Sequence, residues 1–130
     1  MAADTIQSIR SYFQMWVDRD FLNIDCLFDW DIYYRECYGA CYRNLDELHL
    51  WIESQLKKQV VLDWHIHDVY EDGHYFFVTW TFRAKEKETY VFDGLSKIKF
   101  NSQNKISEII EYETKHDVFY PFKKSSYGRQ

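Results

Sequence analysis

Glycine and proline are scarce in this chain, four and one in 130 residues. So few chain breakers exclude collagen-like, linker-rich or low-complexity organisation. Cysteine is scarce as well: Cys26, Cys37 and Cys41 are odd in number and lack C-x-x-C spacing. That excludes a disulfide framework and points to a reduced, cytoplasmic setting. A Cys37–Cys41 metal or redox pair would need further Cys or His at ligand spacing nearby, and there is none. No apolar run approaches the roughly 20 residues of a membrane span, and the first residues show neither the charged nor the apolar region of a signal peptide. Neither membrane nor metal is expected. Basic residues are the minority charge, 16 against 21 acidic, for a net charge of −5. Nucleic acid is a poor partner for such a surface; Lys123, Lys124 and Arg129 make only a weak basic end.

Rings are what the chain has in excess. Five Trp, eleven Tyr and ten Phe make up 20% of it. Each such side chain buries roughly 150–250 Å², so the core is built of large rings with polar tips. That composition serves a Tyr-rich core with a dimer face, and it serves a ligand cavity.

The length suits one domain. Asp4-Thr5-Ile6-Gln7 has capping-box character, and Ile6, Ile9, Phe13, Trp16 and Val17 follow at helical spacing; a helix is predicted over 5–19. A second, short helix is predicted over 21–28 and a strand over 31–38, turning at Gly39. Asn44-Leu45-Asp46-Glu47 is another capping box, opening a helix striped by Leu45, Leu48, Ile52 and Leu56 and ending near Lys57-Lys58, where cations favour the C-terminus. From Val60 the period becomes two. Strands are predicted over 60–70, 75–83, 89–100 and 105–113, joined by turns at Asp72-Gly73, at Lys85–Glu88 and at 101–104. Leu62, Trp64 and Ile66 would share one face of the first of these, with Asp63, His65 and His67 on the other. Helices followed by consecutive strands mean α+β, an antiparallel meander packed on helices. One domain is expected over 1–122, with 123–130 a patternless tail.

Two stretches carry a family resemblance. Phe92-Asp93-Gly94-Leu95-Ser96, with Asn104-Lys105-Ile106 and Glu111-Tyr112, resembles the closing hairpin of the nuclear transport factor 2-like (SnoaL-like, ketosteroid-isomerase-like) superfamily. Asn104 stands where that family usually has Gly, a mild departure because Asn tolerates the left-handed conformation. Residues 12–39, through Tyr34-Arg35-Glu36-Cys37-Tyr38-Gly39, resemble its two opening helices and first strand. The segment 34–42 also resembles a group of bacterial domains with a Y-x-E-C-Y-G signature. The resemblance implies a curved, mostly antiparallel sheet wrapped around three helices to form a cone-shaped pocket. It implies no single function, since the superfamily hosts isomerases, epoxide hydrolases, dehydratases, cyclases and binding domains.

Aligned on the isomerase-like members, Tyr12 falls at the oxyanion-hole tyrosine, Glu36 at the carboxylate base and Ser96 at the second oxyanion donor. Abstracting a proton beside a carbonyl requires such a base and such donors, and apolar surroundings would raise the Glu36 pKa. Ser96 is a poorer donor than a protonated carboxyl. Against this, a buried Glu is commonly a structural group, here pairing with Arg35 or Arg43, and a core Tyr is commonly packing. Trp16, Tyr34, Trp64, Phe92 and Ser96 are expected to line the pocket, with Trp51 and Trp80 in core or wall. His65 and His67, at i, i+2, have metal-ligand spacing, but belong to the outer face. His116, Asp117, Tyr120 and Phe122 are placed to close the cavity mouth. The expected function is binding of a small hydrophobic molecule without a cofactor. The alternatives are a Glu36-dependent acid/base enzyme and a dimerisation or protein-interaction module; a homodimer through the sheet is expected.

Overall fold

Four buried rings and aliphatics at spacings of three, one and three, Ile9, Tyr12, Phe13 and Trp16, turn one face of the first helix inward. The computed structural model describes residues 2–122, so the expected tail lies outside the described residues. Helix α1 spans Ala2–Asp18 and α2 is a single turn, Ile24–Leu27. Strand β1 starts earlier than its sequence suggests, Phe28–Arg35, because Phe28 is already a buried strand residue rather than the end of a helix. A two-residue strand, β2 (Cys41–Tyr42), follows the turn at Gly39. Helix α3 (Leu45–Leu56) is capped as expected, the Asn44 side chain accepting from the Glu47 N–H. Its C-terminal end is met not by Lys57 or Lys58 but by Arg19. The Arg19 guanidinium donates to the Leu56 carbonyl at 2.6 Å and the Gln59 carbonyl at 2.8 Å. That ties the ends of α1 and α3 together and satisfies carbonyls a helix leaves open.

Strands β3 (Val60–Asp72), β4 (Tyr75–Lys85), β5 (Thr89–Phe100) and β6 (Ile106–Lys115) form the expected antiparallel meander. Strand β5 is interior, paired with β4 on one side and β6 on the other. Strand β1 adds to β6 in parallel and β2 to β1, giving a curved, unclosed sheet of order β2-β1-β6-β5-β4-β3.

Two bulges correct the reading of β3. Its register against β4 shifts between Val61 and Asp63 and again between Ile66 and Asp68. An extra residue reverses side-chain parity, so Val61, not Leu62, faces the core; Leu62 is 45% exposed. Trp64, Ile66 and, past the second bulge, Val69 pack against the core. The Phe-Asp-Gly stretch of β5 has its own steric reason. A Cβ on Gly94 would collide with the Trp80 ring and the Tyr112 carbonyl, so only glycine leaves room for that indole against the strand. Asn104 adopts φ 60° in the β5–β6 turn, the left-handed conformation expected of it.

Candidate functional site

At its open side the sheet and helices enclose a small cavity, ≈ 40 Å³ in volume. By volume it holds roughly three waters, well under the roughly 300–1,000 Å³ of drug-sized ligand sites. Its walls are mostly rings, with Cys37, Gln55 and Gln59 among them. Trp16 comes from α1, Tyr34 from β1, Trp51 from α3, Trp64 and Trp80 from β3 and β4, and Phe92 from β5. Trp51 is central to one wall, with ring centroids 4.9–5.1 Å from Trp16, Tyr34 and Tyr42. Trp64 stacks on Phe13 at 3.9 Å, and its indole N–H is the one buried side-chain polar group with no hydrogen-bond partner among the described residues.

Against these rings stand two carboxylates, Glu36 and Glu111. Glu36 sits just past β1 in the turn closed by its own N–H donating to the Ala40 carbonyl at 2.9 Å. The Tyr42 hydroxyl donates to its Oε2 at 2.6 Å. Burial raises the Glu36 pKa, opposed by that hydrogen bond and by the charge of Lys58. Among the described residues no ion pair joins Glu36 to Arg35 or Arg43; Arg43 is taken by Glu47 at 2.8 Å.

Glu111 terminates a hydrogen-bond chain whose direction is forced. The Trp16 indole can only donate, and it gives its proton to the Tyr12 hydroxyl at 3.0 Å. Tyr12 therefore donates to Tyr34 at 2.7 Å, and Tyr34 to Glu111 Oε2 at 2.6 Å. Burial pushes the Glu111 pKa up to about 8, the Tyr34 bond pulling it back and the neighbouring Glu36 charge adding to the rise. At neutral pH Glu111 is thus mostly a neutral acid with a proton to give. The Tyr12 and Tyr34 hydroxyls are held far above their usual pKa, first by burial and then by the Glu111 charge.

The expected site residues separate in space. Glu36, Trp16, Tyr34, Trp64 and Phe92 line the cavity. Tyr12 lies one hydrogen bond behind it, covered by Tyr34. Ser96 is fully buried and accepts from the Trp80 indole at 2.9 Å, fixing a wall ring rather than facing the space. His116 is turned away from the mouth. It bonds Asp93 at 2.9 Å, which also accepts from Thr81, itself 2.7 Å from His67; this cluster is on the outer sheet face, as expected for His65 and His67. Tyr120 and Phe122 are 87% and 86% exposed. Among the described residues no group of three or more His, Cys, Asp or Glu is placed to hold a metal ion, and no helix is long and apolar enough to cross a membrane.

Sequence reasoning missed Glu111 as a cavity residue, though a signal exists. It shares strand parity with Ile109, which is buried and pairs with Ile98. An acidic residue at an inward position of a strand is a site candidate by that fact alone. Gln55 and Gln59 on the lining were missed too, as was Tyr42, the partner of Glu36 behind it. Gln59 is held by donation to the Tyr90 hydroxyl at 2.7 Å.

The family model of the SnoaL-like domain matches residues 9–109, and the chain belongs to that family. A search of curated proteins returns no match. Solved structures of similar fold include an LEH-like epoxide hydrolase of M. tuberculosis (14% identity, TM-score 0.75, covering 85% of this chain and 78% of that one). A putative SnoaL-like polyketide cyclase of Shewanella putrefaciens is similar at 12% identity and TM-score 0.73, over 85% and 89% of the two chains. A protein with a ketosteroid isomerase-like fold from Catenulispora acidiphila, in complex with trimethylamine, is similar at 14% identity and TM-score 0.72, over 81% and 83%. At these identities the likeness is one of fold.

Proposed function

We propose that the cavity binds a small molecule with an apolar body and one polar group, the polar group meeting Glu111 and Glu36. One observation carries this: two carboxylates line a cavity walled mostly by rings, and one of them is the terminus of a directed hydrogen-bond chain. A carboxyl buried among rings is costly unless something uses it. The expected hydrophobic ligand is retained here, with its size bounded by the cavity. Native mass spectrometry of the purified chain, and ligand-observed NMR with soluble alcohols, ketones and amines of four to six heavy atoms, test it (sizes of about this order follow from the volume). Contact signals lost in both Glu111→Gln and Glu36→Gln support the reading. Binding unaffected by either variant overturns it.

A second reading is favoured by the pKa of Glu111. Two carboxyl groups whose surroundings push them apart suit acid/base work. Glu111 would give a proton, and Glu36, whose pKa burial also raises but the Tyr42 bond and the Lys58 charge restrain, would take one. Tyr12 then acts through Tyr34 as a positioning residue for Glu111, not as an oxyanion donor. Turnover of small epoxides or enolisable ketones, lost in Glu36→Gln and in Glu111→Gln, is the test.

A further inference from the structure

We propose that the molecule this cavity takes is a small organic cation, an alkylated ammonium of a few heavy atoms. This rests on the reading of the cavity as a small-molecule site and adds the charge class.

The charge inventory of the walls comes first. Two carboxylates line the cavity and no Lys, Arg or His does. Each carboxylate has one hydrogen bond from a tyrosine, Tyr34 on Glu111 and Tyr42 on Glu36. A carboxylate offers about four lone-pair sites, so acceptor capacity remains on both. An anion in that space would face two like charges. A neutral ligand would leave an ionised carboxylate desolvated with no counter-charge, which is costly. A cation resolves both problems.

The rings give the second argument. The faces of Trp and Tyr carry negative charge density, and cations seat against them, Trp being the strongest partner. Four indoles line this one cavity, Trp16, Trp51, Trp64 and Trp80. Methyl groups on the nitrogen match that wall, whereas a bare ammonium would lose its hydration without replacement. The small volume excludes long chains. Tyr38, 64% exposed, stands at the lining where a ligand would enter.

A cation also couples to protons. The titratable groups around Glu111 are Tyr12 from α1, Tyr34 from β1, and Glu36, Cys37 and Tyr38 from the turn after β1. Tyr42 comes from β2; Glu113 of β6 lies beside Cys37, and Lys58 past the end of α3 acts on Glu36. The thiol and the phenols are held above their usual values by burial, so Glu111 is the group that changes charge near pH 8. A cation binds its ionised form, so binding releases a proton and affinity rises with pH.

Tryptophan fluorescence and calorimetric titration of the full chain with tetramethylammonium chloride, against tert-butanol as an uncharged probe of equal size and sodium chloride as the salt control, decide this. The expected result is tetramethylammonium binding at least about tenfold tighter than tert-butanol at pH 8. Its affinity should rise about fivefold or more from pH 6.5 to 8.5. Glu111→Gln should remove the pH dependence, and Glu36→Gln, made separately in case one variant misfolds, should weaken the cation alone. If tert-butanol binds as well or better, the cation assignment falls and the small-molecule site stands. If neither binds, both fall. Cation binding that neither variant alters belongs to the acidic surface and overturns the proposal.

Discussion

The Tyr34 hydroxyl donates to the Glu111 carboxylate at 2.6 Å across 77 positions of sequence. The bond exists because β1 and β6 lie side by side in parallel, with Tyr34 opposite Ile109. Tyr34→Phe removes that donor and the acceptor used by Tyr12 in one change. The expected loss is about 1–3 kcal/mol, since the Tyr12 hydroxyl is left buried without an acceptor. Denaturant melts measure it. The Glu111 pKa should rise further, because the lost bond was lowering it, and carboxyl NMR titration reads that shift.

Glu111 also predicts how stability depends on pH. Its folded pKa, about 8, lies above the ordinary carboxylate value of 4.5. The folded state therefore binds more protons between those values, and its stability falls as pH rises through that window. Thermal melts from pH 5 to 9 should show a declining Tm for the wild type and a flatter profile for Glu111→Gln. A wild-type Tm that climbs across that range would contradict the buried placement of this carboxyl.

Gly94 predicts a packing failure. Gly94→Ala drives a methyl into the Trp80 ring and the Tyr112 backbone. The carbonyl cannot yield without moving β6, so the cost should reach about 3 kcal/mol or more. Loss of near-ultraviolet tryptophan circular dichroism should accompany it.

Sheet-to-sheet pairing of two copies is the remaining expectation. Phe76, Val78 and Trp80 are buried in the core, so the outer face is carried by their alternates, with Phe77 and the row Thr79–Leu95–Tyr112. Tyr112 is 54% exposed. Light scattering at tens of micromolar should give a dimer mass (about that concentration suffices for a standard interface), and Leu95→Glu should give a monomer. A monomeric wild type removes the expectation.

Much of the fold was legible because its signals are local. Period-two alternation from Val60, the Asn44 cap and the stripe of α1 each depend on residues a few positions apart. The resemblance of residues 92–112 to a known hairpin supplied the arrangement of those elements. The expectation that Glu36, Trp16, Tyr34, Trp64 and Phe92 surround one space came from the resemblance, which aligned the chain on members with such a pocket. What tertiary structure alone decided depends on non-local pairing. The bulges in β3 reverse parity at Leu62, and no sequence period marks them. The parallel contact of β1 with β6 brings Tyr34 to Glu111, which makes Tyr12 a buried link rather than a wall residue. The Trp80–Ser96 bond across β4 and β5 turns the expected donor into a ring holder. Each of these is a hydrogen bond or steric fit between groups distant in the chain, and its outcome is set only when the sheet closes around the rings.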